Sequence, residues 1–247
     1  MDRMLYIAMS GAKETMHSQS TTSNNLANAS TSGFLADLQQ FRSMPVFGPG
    51  QATRVYAMSE RPATDFAPGA KMMTERDLDV AVSGDGWFAV QSRDGNEAYT
   101  RRGDLQIDAN GLVTTGNGLP LLGDGGPIAI PPAEKVTIGS DGTISIVPEG
   151  GAPTQLAVID RIKMVAPQFD QMRKGQDGLM RLESGEPAEA DASQRLVQGF
   201  LESSNVNTVN EMVNMIELQR RYEMQVRMMK TADEMASRAA SLLRSGG

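Results

Sequence analysis

The chain has 247 residues, 40% of them hydrophobic, which is enough to bury a sizeable core in one large or two modest domains. Its net charge of −7 excludes the diffuse basic field that would draw it to nucleic acid or an anionic membrane. The absence of cysteine removes disulfides, thiol nucleophiles and Cys-bound metal, and no apolar run is long enough to insert in a membrane.

The opening "MDRMLYIAMSGAKETMHSQ" has only the brief apolar run "MLYIAM", too short for a cleaved secretory signal. From about Arg3 to Ala29, Met4, Ala8, Gly11, Thr15, Ser18, Thr22, Leu26 and Ala29 recur in steps of three and four, the period of one helical face, with Leu5 beside it. The centre of that face, Ser18 to Thr22, is too polar to hold a lone helix together, so something must pack on it. Asn24, Asn25 and Asn28 are residues that cap and bend a chain, and Gly33 supplies a stop in "ASTSGF".

Residues 34–76 carry breakers such as "MPVFGPG" and "FAPGAK" and read as an extended connector. Residues 77–168 read as an all-β domain: short apolar runs such as "WFAVQS", "LQID", "VTIG" and "TISIV" alternate with Asp-Gly and Asn-Gly turns. Residues 169–195 read as a polar return connector, and helical text resumes near Leu196, filling 196–247.

Thr208 and Glu211 form a T-x-x-E capping box at the head of the strongest stretch. Glu217 with Arg221, Glu223 with Arg227 and Glu234 with Arg238 lie at i,i+4 in the favoured order and mark a wet face. Against them runs a seam-like stripe: Val209, Met212, Met215, Leu218, Tyr222, Val226, Met229, Ala232, Ala236, Ala239 and Leu243. At 1.5 Å per residue such a helix is roughly 55 Å long, more than the β domain alone could cover. Residues 1–33 are neutral and 208–247 carry +1, so the remaining −8 falls in the middle and leaves ends that can pack on copies of themselves. Ten of the seventeen methionines lie in those ends, where an adaptable thioether suits varied neighbours.

Catalytic readings are weak. His17 is the only histidine and sits among serines and threonines, and "GDGG" lacks the G-K-[ST] of a phosphate cradle. "IDANG" fails as a calcium loop, with Gln106 at the first ligand position and Asn117 at the bidentate one. No enzyme, cofactor or metal site is expected.

"NNLANASTSGF", Asn24 to Phe34, and "SNVNTVNEMVNMIELQRRYEMQVRMMKTADEM", Ser204 to Met235, resemble the terminal signatures of flagellar rod and hook proteins. "SGDGWFAV", "YTRRGDLQIDANGLVTTGNGLPLLG" and "DGTI" are similar to their shared β-domain text, and the opening "MDRMLYIAMSGA" is most like proximal-rod members. The resemblance implies an α+β fold: N- and C-terminal helices paired in a coiled-coil-like inner layer, with an inserted all-β domain. It further implies a structural axial subunit of the proximal rod that transmits torque and is exported unfolded by the flagellar type III apparatus into the periplasm. Implied neighbours are further copies, FlgB, FlgC, the distal-rod subunit FlgG and the adaptor FliE. The implied packing residues are Leu5, Ala8, Leu26, Met212, Met215, Leu218, Tyr222, Val226, Met229, Ala236 and Leu243. The rival readings are a distal-rod or hook subunit and, from another class, a monomeric β-domain binding protein.

Overall fold

The structure, a computed structural model, describes residues 3–45, 55–59, 63–150 and 156–245. The side chains of Met4, Ala239 and Leu243, placed above in the apolar stripes, lie outside the described residues, as do all of "VFGPG" and residues 51–54. The fold is α+β: a helix at each end and a β-rich middle. It divides into a helical unit, residues 1–29, 36–65 and 206–247, and a β unit, residues 30–35 and 66–205.

In the helical unit, α1 (Arg3–Ala27) lies against α2 (Thr208–Ser245), whose 38 residues span about 57 Å. α1 ends where Asn28 N–H returns to the carbonyls of Asn24 and Asn25, both at 3.1 Å. Gly33, expected as the stop, lies beyond this helix end and is no C-cap. It takes φ +65°, and a Cβ there would come within 2.4 Å of the Arg102 backbone nitrogen, so a close approach in the β unit explains the glycine.

The segment read as an extended connector carries short local structure and pairs with itself within the helical unit. Asp37–Leu38 pairs with Ala63–Thr64, and Phe41–Pro45 forms a ladder with Val55–Ser59 beside α1. Strands of two to five residues at breaker-rich text are too short to carry a readable period.

The β unit centres on a five-stranded antiparallel sheet, ordered Met164–Val165, Trp87–Gln91, Glu97–Thr100, Met180–Leu182, Met172–Lys174. A three-stranded meander, Ala133–Ile138, Thr143–Pro148 and Ala157–Arg161, adds a second sheet. Successive side chains of a strand point to opposite faces, and here both faces are covered. Phe88 and Val90 enter one core with Leu105, Leu121, Ile144 and Ile146, while Trp87 and Ala89 enter another with Tyr99, Val165, Met172 and Met180.

That second core corrects the reading of residues 169–195 as a return connector. Met172 and Met180 cap the far face of the sheet, and their strands complete its edge. Helix does not resume at Leu196 either. Arg195–Gln198 pairs with Val80–Ser83 and Phe200–Glu202 with Lys71–Met73. Leu196 is buried by that pairing, and a spacing of four from Leu196 to Phe200 fits helix and irregular strand alike.

Candidate assembly interface

The seam between α1 and α2 is built largely from small and polar side chains. On α1 the buried positions are Ala8, Ala12, Thr15, Ser18, Thr22 and Asn25. On α2 they are Leu218 and Ala232, with Glu211, Met215, Tyr222, Gln225 and Met229 half-buried between and around them. The α2 set advances in alternating steps of four and three, the spacing of a continuous seam on one face.

Polar groups in the seam find partners. Thr15 Oγ1 donates to its own helix at the Gly11 carbonyl, 2.8 Å, and lies 3.2 Å from Gln225 Oε1. Gly11 leaves room for that glutamine: a Cβ there would come within 2.9 Å of Gln225 Nε2. Ser18 Oγ donates to Gln39 Oε1 at 2.7 Å, and Gln39 Nε2 donates to Thr21 Oγ1 at 2.7 Å, so one side chain covers the polar centre that the sequence leaves unsupported. Asn25 behaves as a one-residue strand, its Oδ1 accepting Asp37 N–H and its Nδ2 donating to the Asp37 carbonyl, each at 2.9 Å. Asn28 Nδ2 donates to the Asn24 carbonyl at 3.0 Å.

The structure sorts the expected packing residues into two groups. Ala8 and Leu218 are buried, and Leu26, Met215, Tyr222 and Met229 half-buried, within the helical unit. Leu5, Met212, Val226 and Ala236 are exposed. Val226 corrects the stripe by one position: Gln225 faces α1 instead, because Thr15 and the notch at Gly11 accept an amide there. Gln39, Gln225 and Ala12 were missed, the two glutamines because hydrophobic periodicity does not register polar side chains.

The cap of α2 also moves by one. Asn207 Oδ1 accepts the N–H groups of Val209 and Asn210, each at 3.1 Å, which puts Thr208 at the first helical position and Glu211 within the first turn. Glu217 and Arg221 approach to 3.5 Å on the wet face.

Much of α2 remains open. Val209, Met212, Val213 and Ile216 are all at least half exposed, reaching 67% at Val209, and further along so are Met224 and Met235. α1 adds Tyr6, Met9 and Met16. Between α1, α2 and the strand pair at Asp37–Leu38 lies a cleft of about 290 Å³ floored by Thr22 and Leu218 and rimmed by the exposed Leu38 and Phe41. These open apolar side chains form the candidate assembly surface.

Family models match the chain at both ends and in the middle. The model "Flagella basal body rod protein" matches residues 5–34, "Flagellar hook protein FlgE/F/G D1 domain" matches 81–146, and "Flagellar basal body rod FlgEFG protein C-terminal" matches 197–242. The chain is 42% identical to the flagellar basal-body rod protein FlgF of Escherichia coli and to that of Salmonella typhimurium, covering 98% of this chain and 99% of each relative. It is 31% identical to the FlgG of Buchnera aphidicola from Schizaphis graminum, over 96% of this chain and 98% of that one. The chain therefore belongs to the flagellar basal-body rod protein family, as a structural subunit of the basal body and not an enzyme.

Proposed function

We propose that the chain is a subunit of the proximal rod whose terminal helices pair in a coiled-coil-like inner layer and transmit torque. The observation that carries this reading is the open cluster Val209, Met212, Val213 and Ile216 on the side of α2 turned from its own seam. Burying each large side chain fully is worth about 1.5–3 kcal/mol before the cost of ordering, and neighbouring subunits supply the cover. The neighbours would be further copies, the proximal-rod subunits FlgB and FlgC, the adaptor FliE and the distal-rod subunit FlgG. Leu5, Met212, Val226, Ala236 and Leu243 are the contact residues in this reading. The route to the periplasmic rod would be the flagellar type III apparatus. A distal-rod role is the second reading, favoured by the similarity to FlgG.

Complementation separates the two. The chain is expected to restore swimming to an Escherichia coli strain lacking FlgF and not to one lacking FlgG, and the opposite result overturns the proximal placement. In the same assay Met212→Asp with Ile216→Asp is expected to abolish swimming while the secreted protein keeps its β-unit stability. Normal swimming would remove this face of α2 from the interface. Limited proteolysis of the purified chain addresses the monomeric alternative, which requires both ends to resist cleavage.

A further inference from the structure

Arg101 and Glu202 are each 1% exposed and form a buried ion pair in the β unit, Nη1 to Oε2 at 3.2 Å. Arg101 Nη2 donates to the Gly84 carbonyl at 3.0 Å, and its guanidinium lies 5.1 Å from the centre of the Trp87 ring. Glu202 Oε1 accepts Gly69 N–H at 3.1 Å. A buried pair of this kind is weak support for stability, since well-packed apolar residues in its place are often neutral or better.

Its position in the chain is what sets it apart. The chain passes between the two units along three stretches of the β unit: residues 30–35, the stretch from Phe66 and the stretch ending at Asn205. All three are tied to Glu202 or its neighbours. Gly33 N–H donates to the Glu202 carbonyl at 2.8 Å, Ser203 N–H to the Ala70 carbonyl at 2.8 Å, and Asn205 N–H to the Phe34 carbonyl at 3.3 Å. Asn205 Nδ2 donates to the Ala67 carbonyl at 2.9 Å. The approach is tight enough to require glycine twice. A Cβ at Gly69 would sit 1.9 Å from the Ser203 carbonyl oxygen, and one at Gly33 would strike the backbone joining Arg101 and Arg102.

We propose that Glu202, held by Arg101, is a positioning residue: its carboxylate and its carbonyl gather the three connecting stretches of the β unit into one bundle of fixed register. The carboxylate reaches Gly69, the carbonyl reaches Gly33, and Arg101 fixes the carboxylate through a fork that also grips Gly84. This assignment stands on the β unit alone and does not rest on the rod position proposed above.

Residue-resolved amide exchange on the full-length chain tests it, using Arg101→Met with Glu202→Leu, which removes both charges together. The expected result is exchange about tenfold or more faster at Gly33, Gly69, Ser203 and Asn205, with the strands Trp87–Gln91 and Thr143–Pro148 unchanged and the thermal midpoint kept or raised. Acceleration confined to Gly69 would show only a lost acceptor and overturn the proposal. A parallel rise in the two core strands would make the pair a core element and overturn it equally. Should the double variant fail to fold, Arg101→Lys reads the same amides, because lysine cannot grip Glu202 and Gly84 with one planar fork. Faster exchange at Gly33 and Asn205 with quiet strands supports the assignment, and unchanged exchange throughout defeats it.

Discussion

The β unit hides Trp87, Phe88, Tyr99 and Leu121 at 1% exposure or less, whereas α2 leaves Val209, Met212, Val213 and Ile216 open to water. Both regions are rich in large apolar side chains, so composition does not separate them. Connectivity does: the β unit covers both faces of its main sheet with its own strands and return segment, while each helix has one neighbouring helix and several apolar sides. One region completes its core within the chain, and the other leaves large apolar side chains open.

The strongest way to break that comparison is to hollow the closed region. Phe88→Ala removes a fully buried ring and is expected to cost about 3–5 kcal/mol, read as a fall in the urea midpoint of Trp87 fluorescence. A loss under about 1 kcal/mol would mean the sheet can collapse around the gap. A smaller effect is expected in the helical unit from Asn207→Ala, which strips the cap of α2. About 1 kcal/mol is lost locally, seen as faster exchange at Val209 and Asn210 with the Trp87 transition unmoved.

Acid sharpens the contrast further, because Asp108, Asp141, Asp177 and Asp191 all serve turns of the β unit. The Leu112 N–H holds Asp108 below its ordinary value, the Thr143 hydroxyl does so for Asp141, Arg181 for Asp177 and the Ser193 hydroxyl for Asp191. A carboxyl with a lower pKa when folded binds fewer protons folded than unfolded. Its contribution is therefore present above the ordinary aspartate value of 3.8 and lost as pH falls below it. The Trp87 midpoint is expected to hold from neutrality down to about pH 5 and then drop, and Asp177→Asn to flatten part of that drop. The smallest effect is expected from Ile216→Ser, an exposed site: within about 0.5 kcal/mol in monomer stability, with self-association weakened in sedimentation.

Much of this was legible in the sequence where the signal is local. Asp94-Gly95, Asn110-Gly111, Asn117-Gly118 and Asp141-Gly142 all turn with glycine at positive φ, as paired turn residues demand. The long helix α2 was equally readable. Pairings across more than a hundred residues were not. Nothing in "RLVQGFLE" tells that it meets Val80–Ser83 and Lys71–Met73, and its apolar spacing admits helix. The cap slipped because "NVNT" offers asparagine and threonine side by side, and only backbone geometry selects Asn207. The seam slipped from Gln225 to Val226 because hydrophobicity ranks valine first, while the notch that admits an amide lies on the other helix, at Gly11.

The hydroxyl-lined seam sets how firmly the two helices are fastened. Thr15, Ser18 and Thr22 present little area, and hydroxyls released from it regain water, so each such contact is worth only about 0.5–1.5 kcal/mol net. Contacts this weak part more cheaply than those of a leucine-filled groove would.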